Sequence, residues 1–453
     1  MRDEEANRFS ARAARYARVG ANVGALAARM ASNRLTGAQD GRSQALALAS
    51  ALGSLKGPLM KVAQMLATIP DALPADYAEA LMKLQAQAPP MGAAFVKRRM
   101  QAELGANWRA RFAEFDLHPA AAASLGQVHR AVAHDGERLA CKLQYPNMAS
   151  AVEADLVELD LLFSIHRRMG AVIDTSEIAE EIGARIREEL DYSREAKLAA
   201  LYQIMLAPSP HVRVPRVFDE LSTKRLLTLE WLDGERLVTF EGAPQAPRNA
   251  IATALFDAWW RPFSRYGIIH GDPHLGNYTI AAEGERIAAL NLFDYGCIRI
   301  FPALFVGGVV DLYRGLRDDE EARIVHAYET WGFVGLKRQT IEALNIWARF
   351  IYGPLVDDRV RTIADGVKPG SYGRREAFAV HQALKAQGRL TVPREFVFMD
   401  RAAIGLGGVF LRLRAELNFH RLFEQAMEGF AIEKVAAAQT EALNAVGLGE
   451  ASS

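Results

Sequence analysis

The sequence predicts an α+β fold in three stretches, and three observations predict it. The first hundred residues carry apolar residues at helical spacing almost throughout. From about Leu117 the texture changes to short apolar runs broken by turns, with Ser124 to Ala133 and Arg138 to Gln144 reading as paired strands around the hairpin signal His134-Asp135-Gly136. After Asp294 the pattern is again almost wholly helical. The expected organisation is therefore an N-terminal helical extension (1–115), a small strand-rich lobe with inserted helices (116–232) and an all-helical C-terminal lobe (233–453).

Within the extension, Arg8, Arg12, Arg15 and Arg18 fall on one basic helical face, and Gly37 to Gly41 reads as a break before a second helix from Ser43. In the small lobe, two helical patterns run from about Ala149 to Met169 and from Ser176 to Met205, the second opened by Asp174 with Glu177 three residues on. Val212 to Phe218 and Arg225 to Trp231 return to strand texture. In the last stretch Ile251, Leu255 and Trp259 place an apolar stripe on a helix that leads into Gly267-Ile268-Ile269-His270.

Composition narrows the class. Half of the 453 residues are apolar, enough for a large core and more than one packed unit. Lys plus Arg balance Asp plus Glu at 54 each, so no basic excess points to nucleic acid. No apolar run reaches membrane-spanning length; Phe301 to Val310 ends at Asp311. The acidic start Met1-Arg2-Asp3-Glu4-Glu5 does not read as a signal or transit peptide, so a cytoplasmic protein is expected. The two cysteines, Cys141 and Cys297, have no metal-ligand spacing and read as buried small hydrophobes.

The chemistry concentrates in His270-Gly271-Asp272-Pro273-His274-Leu275-Gly276-Asn277, followed by Leu292-Phe293-Asp294-Tyr295-Gly296. Phosphoryl transfer from ATP needs hard oxygen ligands for Mg2+ and a carboxylate that orients the attacking hydroxyl, and kinases supply them as H-R-D-x-x-x-x-N and then D-F-G. Asp272 takes the catalytic position here, with Asn277 and Asp294 as the metal ligands, while His274 reads as a brace for the loop. Upstream, Leu139-Ala140-Cys141-Lys142-Leu143 places Lys142 as the strand lysine that pairs the phosphates. The alanine-rich loop Pro119 to His129 lies where a kinase carries its glycine-rich loop, which makes Ala121, Ala122, Ala123 and Ser124 candidates to border the nucleotide. Glu189, Asp191 and Glu195 form an acidic cluster, and Glu230 lies near the end of the strand pattern Arg225 to Trp231. On a continuous helix Asp191 and Glu195 share a face, so Glu195 is chosen to hold Lys142, with Glu189, Asp191 and Glu230 left to the cofactor side.

Together these segments resemble the UbiB/AarF family of atypical protein-kinase-like proteins, linked to ubiquinone biosynthesis and lipid metabolism. The likeness covers nearly all of residues 10–300. It is carried by Lys61-Val62-Ala63-Gln64 against the family's K-x-G-Q, by Ser124 to His129 against S-I-G-Q-V-H, by Glu189-Leu190-Asp191 against E-x-D, and by His270 to Asn277. Ala63 departs from the motif glycine and Tyr295 from the usual phenylalanine. The resemblance implies a bilobal kinase-like fold binding ATP and Mg2+. It also implies that Lys61 and Gln64 reach into the active site where a peptide substrate would lie, with Glu189 and Asp191 as partners for Lys61.

Gly271 replaces the kinase arginine, and few residues separate Gly296 from Phe301-Pro302, leaving little room for an activation segment. A lipid or quinone precursor as substrate, a biosynthetic complex as partner and peripheral membrane contact are the resulting expectations. The alternatives are a small-molecule phosphotransferase of the aminoglycoside- or choline-kinase type and a nucleotide-binding pseudokinase scaffold.

Overall fold

A computed structural model describes residues 91–449, apart from 124, 147, 154–155, 158–182, 185, 285, 365, 368–372, 374–375, 377–378 and 380–393. In chain order the elements are α1 (Ala93–Leu104), β1 (Glu114–Ala122), β2 (Gly126–Val132), β3 (Arg138–Gln144), α2 (Tyr192–Leu206), β4 (Val212–Arg213), β5 (Leu226–Glu230) and β6 (Glu235–Arg236). There follow α3 (Gln245–Tyr266), β7 (Ile268–His270), β8 (Tyr278–Glu283), β9 (Arg286–Leu292) and β10 (Ile298–Ile300). The chain closes with α4 (Ala303–Arg317), α5 (Glu321–Thr330), α6 (Arg338–Val356), α7 (Arg394–Leu413), α8 (Phe419–Met427) and α9 (Ile432–Ala445). The chain divides into two compact units, one of residues 1–194 with 218–231, the other of 195–217 with 232–453.

The first unit is built on an antiparallel sheet in the order β1-β2-β3-β5. Alternation along β3 turns Leu139, Cys141 and Leu143 into a core shared with Val96, Met100 and Leu104 of α1, which fills one face of the sheet. Glu103 of α1 is almost buried and is held by Arg225 Nε at 2.9 Å and by the Thr223 hydroxyl at 2.7 Å, so α1 is tied to the start of β5. Beneath the sheet, Phe115 stacks on His129 and meets Trp108 edge-on.

The second unit has its core around α3. Ile251, Leu255 and Trp259 are buried as their spacing requires, joined by Phe256 and Phe263. The helix stops at Gly267, whose φ of 66° is the left-handed turn that lets its amide reach Phe263 O at 2.8 Å. The chain then enters β7, which pairs antiparallel with β10, while β4-β9-β8-β6 form a second small sheet.

The α+β class stands, and four details are corrected. The second unit carries two sheets, so the C-terminal lobe is not all helical; its strands are short and lie between polar motif residues that interrupt the apolar period. Pro119 to Ala122 are strand β1, paired as Ala121 with Val128 and Ala122 with Gln127, and not loop. The helix expected from Ser176 to Met205 breaks at Leu190 and Asp191, because the Asp191 carboxylate takes the Ser193 and Arg194 amides at 3.1 and 3.3 Å and so caps a new helix, α2. The strand expected over Val212 to Phe218 is only two residues long, since Pro215 has no N–H for a ladder.

Candidate active site

The catalytic-loop candidates are held by a dense set of bonds within the second unit. β7 delivers His270, wholly buried, at the start of the loop, and the Trp259 indole donates to its carbonyl at 3.2 Å. Gly271 N donates to Cys297 O at 2.9 Å, extending the β7–β10 pairing by one step. A Cβ on residue 271 would stand 2.6 Å from that carbonyl oxygen, so only glycine fits where the kinase pattern has arginine. Asp272 O then accepts two bonds, from His274 N at 2.7 Å and from the Asn277 side-chain amide at 2.9 Å. His274 braces the turn as expected, its Nδ1 accepting from Gly276 N at 3.1 Å.

Asn277 is also tied to the second motif, because Phe293 N donates to Asn277 O at 2.9 Å. β8 and β9 set this up by pairing Tyr278 with Leu292. Past Phe293 the chain turns sharply: Asp294 has a φ of 60°, and its carboxylate accepts from Gly296 N at 3.3 Å. An aspartate tolerates that left-handed conformation at a cost of about 1 kcal/mol, the kind of strain that collects at functional positions. Tyr295, buried, donates its hydroxyl to Leu292 O at 2.6 Å and packs with Tyr202 and His270.

Electrostatics join the same residues. Burial holds the His270 imidazole below its ordinary pKa, opposed by the charges of Asp272 and Asp294. Burial drives the Tyr295 phenol well up, and Tyr202, Glu195 and Asp294 add to the shift. Glu195 is itself buried on α2, so Glu195, Asp272 and Asp294 all act on one aromatic cluster. The Phe293–Asn277 bond ties the backbone of Asn277 to the residue before Asp294, and both side chains carry hard oxygen donors of the kind that Mg2+ takes.

In the first unit, Lys142 is half-buried on β3 between Val128 and Leu227, with Nζ 5.0 Å from the Tyr192 ring centroid. Glu230 pairs with Leu139 and is the last strand residue before the chain leaves this unit. Ala121 and Ala122 are exposed at the end of β1, and Ala123 N donates to Gly126 O at 2.9 Å. Glu189 is buried; Asp191 spends one oxygen on capping α2 and has the other 3.7 Å from Lys224 Nζ. Lys61, Gln64 and Ser124 lie outside the described residues. Both cysteines are buried, and burial pushes the Cys141 thiol up to about 12, so it behaves as a small hydrophobe.

A model of the ABC1 atypical kinase-like domain matches residues 83–328, more than half of the chain and including both motif segments. The chain belongs to the ABC1 atypical kinase-like family. It is 26% identical to the mitochondrial atypical kinase coq-8 of Caenorhabditis elegans over 83% of this chain and 50% of that one. It is also 26% identical to the mitochondrial atypical kinase COQ8 of Saccharomyces cerevisiae over 82% and 74% of the two chains. The match thus spans about half to three quarters of these relatives' own length. Among solved structures, a Mycobacterium tuberculosis protein in complex with erythromycin superposes with a TM-score of 0.59 at 26% identity, covering 90% of this chain and 98% of that one. The kinase-like fold is thereby shown. Among the described residues no helix is long and apolar enough to cross a membrane.

Two residues of this ABC1 chain matter in a way the motif reading missed. Gln127 and His129 are wholly buried on β2. The Gln127 side chain accepts from Met91 N at 2.7 Å and donates to Met91 O at 3.3 Å. It also meets His129 Nε2 at 2.9 Å, while His129 Nδ1 is 2.9 Å from Asp116 O. This relay clamps the backbone just before α1. Their spacing of two, which puts both side chains on one strand face, was the available signal. Gln127→Leu strands both Met91 backbone groups and one His129 nitrogen, and is expected to lower the unfolding free energy by about 2–3 kcal/mol. Urea denaturation checks this, and an unchanged midpoint would show the clamp to be dispensable.

Proposed function

We propose that this protein binds Mg-ATP and either hydrolyses it or transfers its terminal phosphoryl group, in support of ubiquinone or related isoprenoid-lipid biosynthesis. The observation that carries this reading is the bonded frame of Asp272, Asn277 and Asp294, in which one asparagine links the loop carbonyl to the chain that delivers Asp294. Asn277 and Asp294 would hold Mg2+, which when bound neutralises phosphate charge. Asp272 would orient the attacking hydroxyl or water and accept its proton. Lys142 would pair the α- and β-phosphates, with Glu195 as its partner. Ala121, Ala122, Ala123, Ser124, Glu189, Asp191 and Glu230 would border the nucleotide, and Lys61 and Gln64 would reach in from the extension, as the UbiB/AarF motifs imply. The relatives named atypical kinases support the kinase-like part of this reading; its lipid-quinone context follows from the UbiB/AarF resemblance, and peripheral membrane contact through the basic N-terminal face belongs to the same reading.

Calorimetric titration of the full chain with ATP in the presence and absence of Mg2+ tests the proposal; no Mg-dependent nucleotide binding would overturn it. Lys142→Ala is expected to weaken that binding about tenfold, or ~1.4 kcal/mol. Unchanged affinity and turnover would remove Lys142 from the site.

A small-molecule acceptor is the second reading, favoured by the erythromycin bound to the Mycobacterium tuberculosis relative. Phosphotransferases of the aminoglycoside- and choline-kinase type also use an H-G-D loop. Phosphate appearing on an aminoglycoside or amino-alcohol in the presence of Mg-ATP would place this reading first.

A further inference from the structure

Helix α7 lies beyond residues 83–328, the part of the chain that the family's domain accounts for. Its place in the second unit is set by the core: Ala402, Leu406, Val409, Phe410 and Leu413 are buried. Its C-terminal end is held by Arg248 of α3, whose guanidinium donates to Leu413 O at 2.9 Å. A helix anchored in this way cannot retreat from what it touches elsewhere. One of the things it touches is the loop of Asp272. A Cβ on Gly405 would stand 2.6 Å from Pro273 Cγ and 3.4 Å from its Cδ. At 2.6 Å something must shift, so glycine at 405 leaves the room that the Pro273 ring occupies.

We infer that Gly405 is a positioning residue for the phosphoryl-transfer loop: α7 is a back-stop whose missing side chain sets where Pro273, and through it Asp272, can lie. The inference rests on the reading of residues 270–277 proposed above. The proline ring closes on its own backbone, so a push on Cγ is absorbed only in part by a change of ring pucker, and the remainder moves the backbone between Asp272 and His274. The Asp272 carbonyl holds both His274 N and the Asn277 side chain, at 2.7 and 2.9 Å, so the displacement passes to the Mg2+ ligand candidate as well as to the catalytic carboxylate. The same helix supplies an internal control. A Cβ on Gly408 would meet nothing within 4 Å, so alanine there changes helix propensity alone.

The test compares Gly405→Ala, Gly408→Ala, Pro273→Ala and the Gly405→Ala/Pro273→Ala double variant of the full chain. Two readouts are taken: Mg-ATP turnover, and amide hydrogen exchange of peptides covering residues 268–280. Gly405→Ala is expected to lower kcat at least about tenfold with KM for Mg-ATP within about twofold. Exchange across the loop should quicken by about tenfold, while Gly408→Ala matches the wild type in both readouts. Pro273→Ala removes the Cγ that Gly405→Ala would strike, so in that background the 405 substitution should have no further effect on either readout. Loop exchange unchanged in Gly405→Ala overturns the inference, and so does an effect that persists undiminished beside Pro273→Ala. A wild type without ATP turnover would overturn the proposed function; the exchange comparison would then decide the positioning role by itself.

Discussion

Asp294→Asn is expected to reduce Mg-ATP turnover by at least about a hundredfold, while the melting midpoint stays within about 2 °C of the wild type. Asparagine keeps the size of the side chain, can still accept from Gly296 N, and tolerates the φ of 60° as readily as aspartate. What it removes is the negative charge that a divalent ion beside the phosphates requires. Asp294→Gly separates the two roles of this residue. Glycine reaches a left-handed φ without steric cost, so that variant should gain up to about 1 kcal/mol of stability, less the lost carboxylate bond, and yet turn over no ATP. Turnover of Asp294→Asn within a few-fold of wild type would rule out Asp294 as a ligand of the catalytic metal. The paired measurement of kcat and melting temperature shows whether this backbone strain is maintained for the sake of the chemistry.

The second large effect concerns the residue that sets this loop apart from ordinary kinases. Gly271→Ala should lower the unfolding free energy by about 2–3 kcal/mol, and Gly271→Arg, which would restore the usual kinase sequence, by more. The new Cβ would stand 2.6 Å from Cys297 O and 3.4 Å from Cγ of the buried Arg299. The clash is with the carbonyl, which cannot yield cheaply, while Arg299 stands at ordinary contact distance. The carbonyl is the acceptor for Gly271 N, and Arg299 lies on β10, paired with Ile269 of β7. The substitution therefore forces β7 and β10 apart at the point where they deliver His270. Urea midpoints of the two variants measure this, and a midpoint equal to wild type in Gly271→Ala would show that the strands part without cost. The absence of the kinase arginine is on this account a packing requirement.

The candidate site residues could be named from the chain because they stand in short, contiguous patterns. The five-residue offset from Asp272 to Asn277 and the later Asp294 read directly, since a loop of fixed length admits few conformations once its ends are anchored on apolar strands. Lys142 on an alternating strand and the stripe Ile251, Leu255 and Trp259 on a helix read for the same reason: period and burial are local properties. The failures lie where local pattern is ambiguous. Alanine suits helix, strand and loop alike, so only the pairing of Ala121 and Ala122 with β2 decided that segment. Asp191 sits in a stretch of good helix formers, and nothing nearby announces that its carboxylate will capture two amides and restart the helix there. The strands β7 and β10 are three residues each, too short to carry a period, and exist because they pair with each other across the motif.

Residue types and spacings thus determined the family, the α+β class and the candidate phosphoryl-transfer residues, because hydrogen-bonding chemistry and side-chain periodicity act over a few neighbours. Only the folded chain decided why residue 271 must be glycine, that Gln127 clamps Met91, and that Gly405 lies against Pro273. Each of those depends on the separation of atoms 26 to 132 residues apart in sequence, which packing sets and local pattern does not encode.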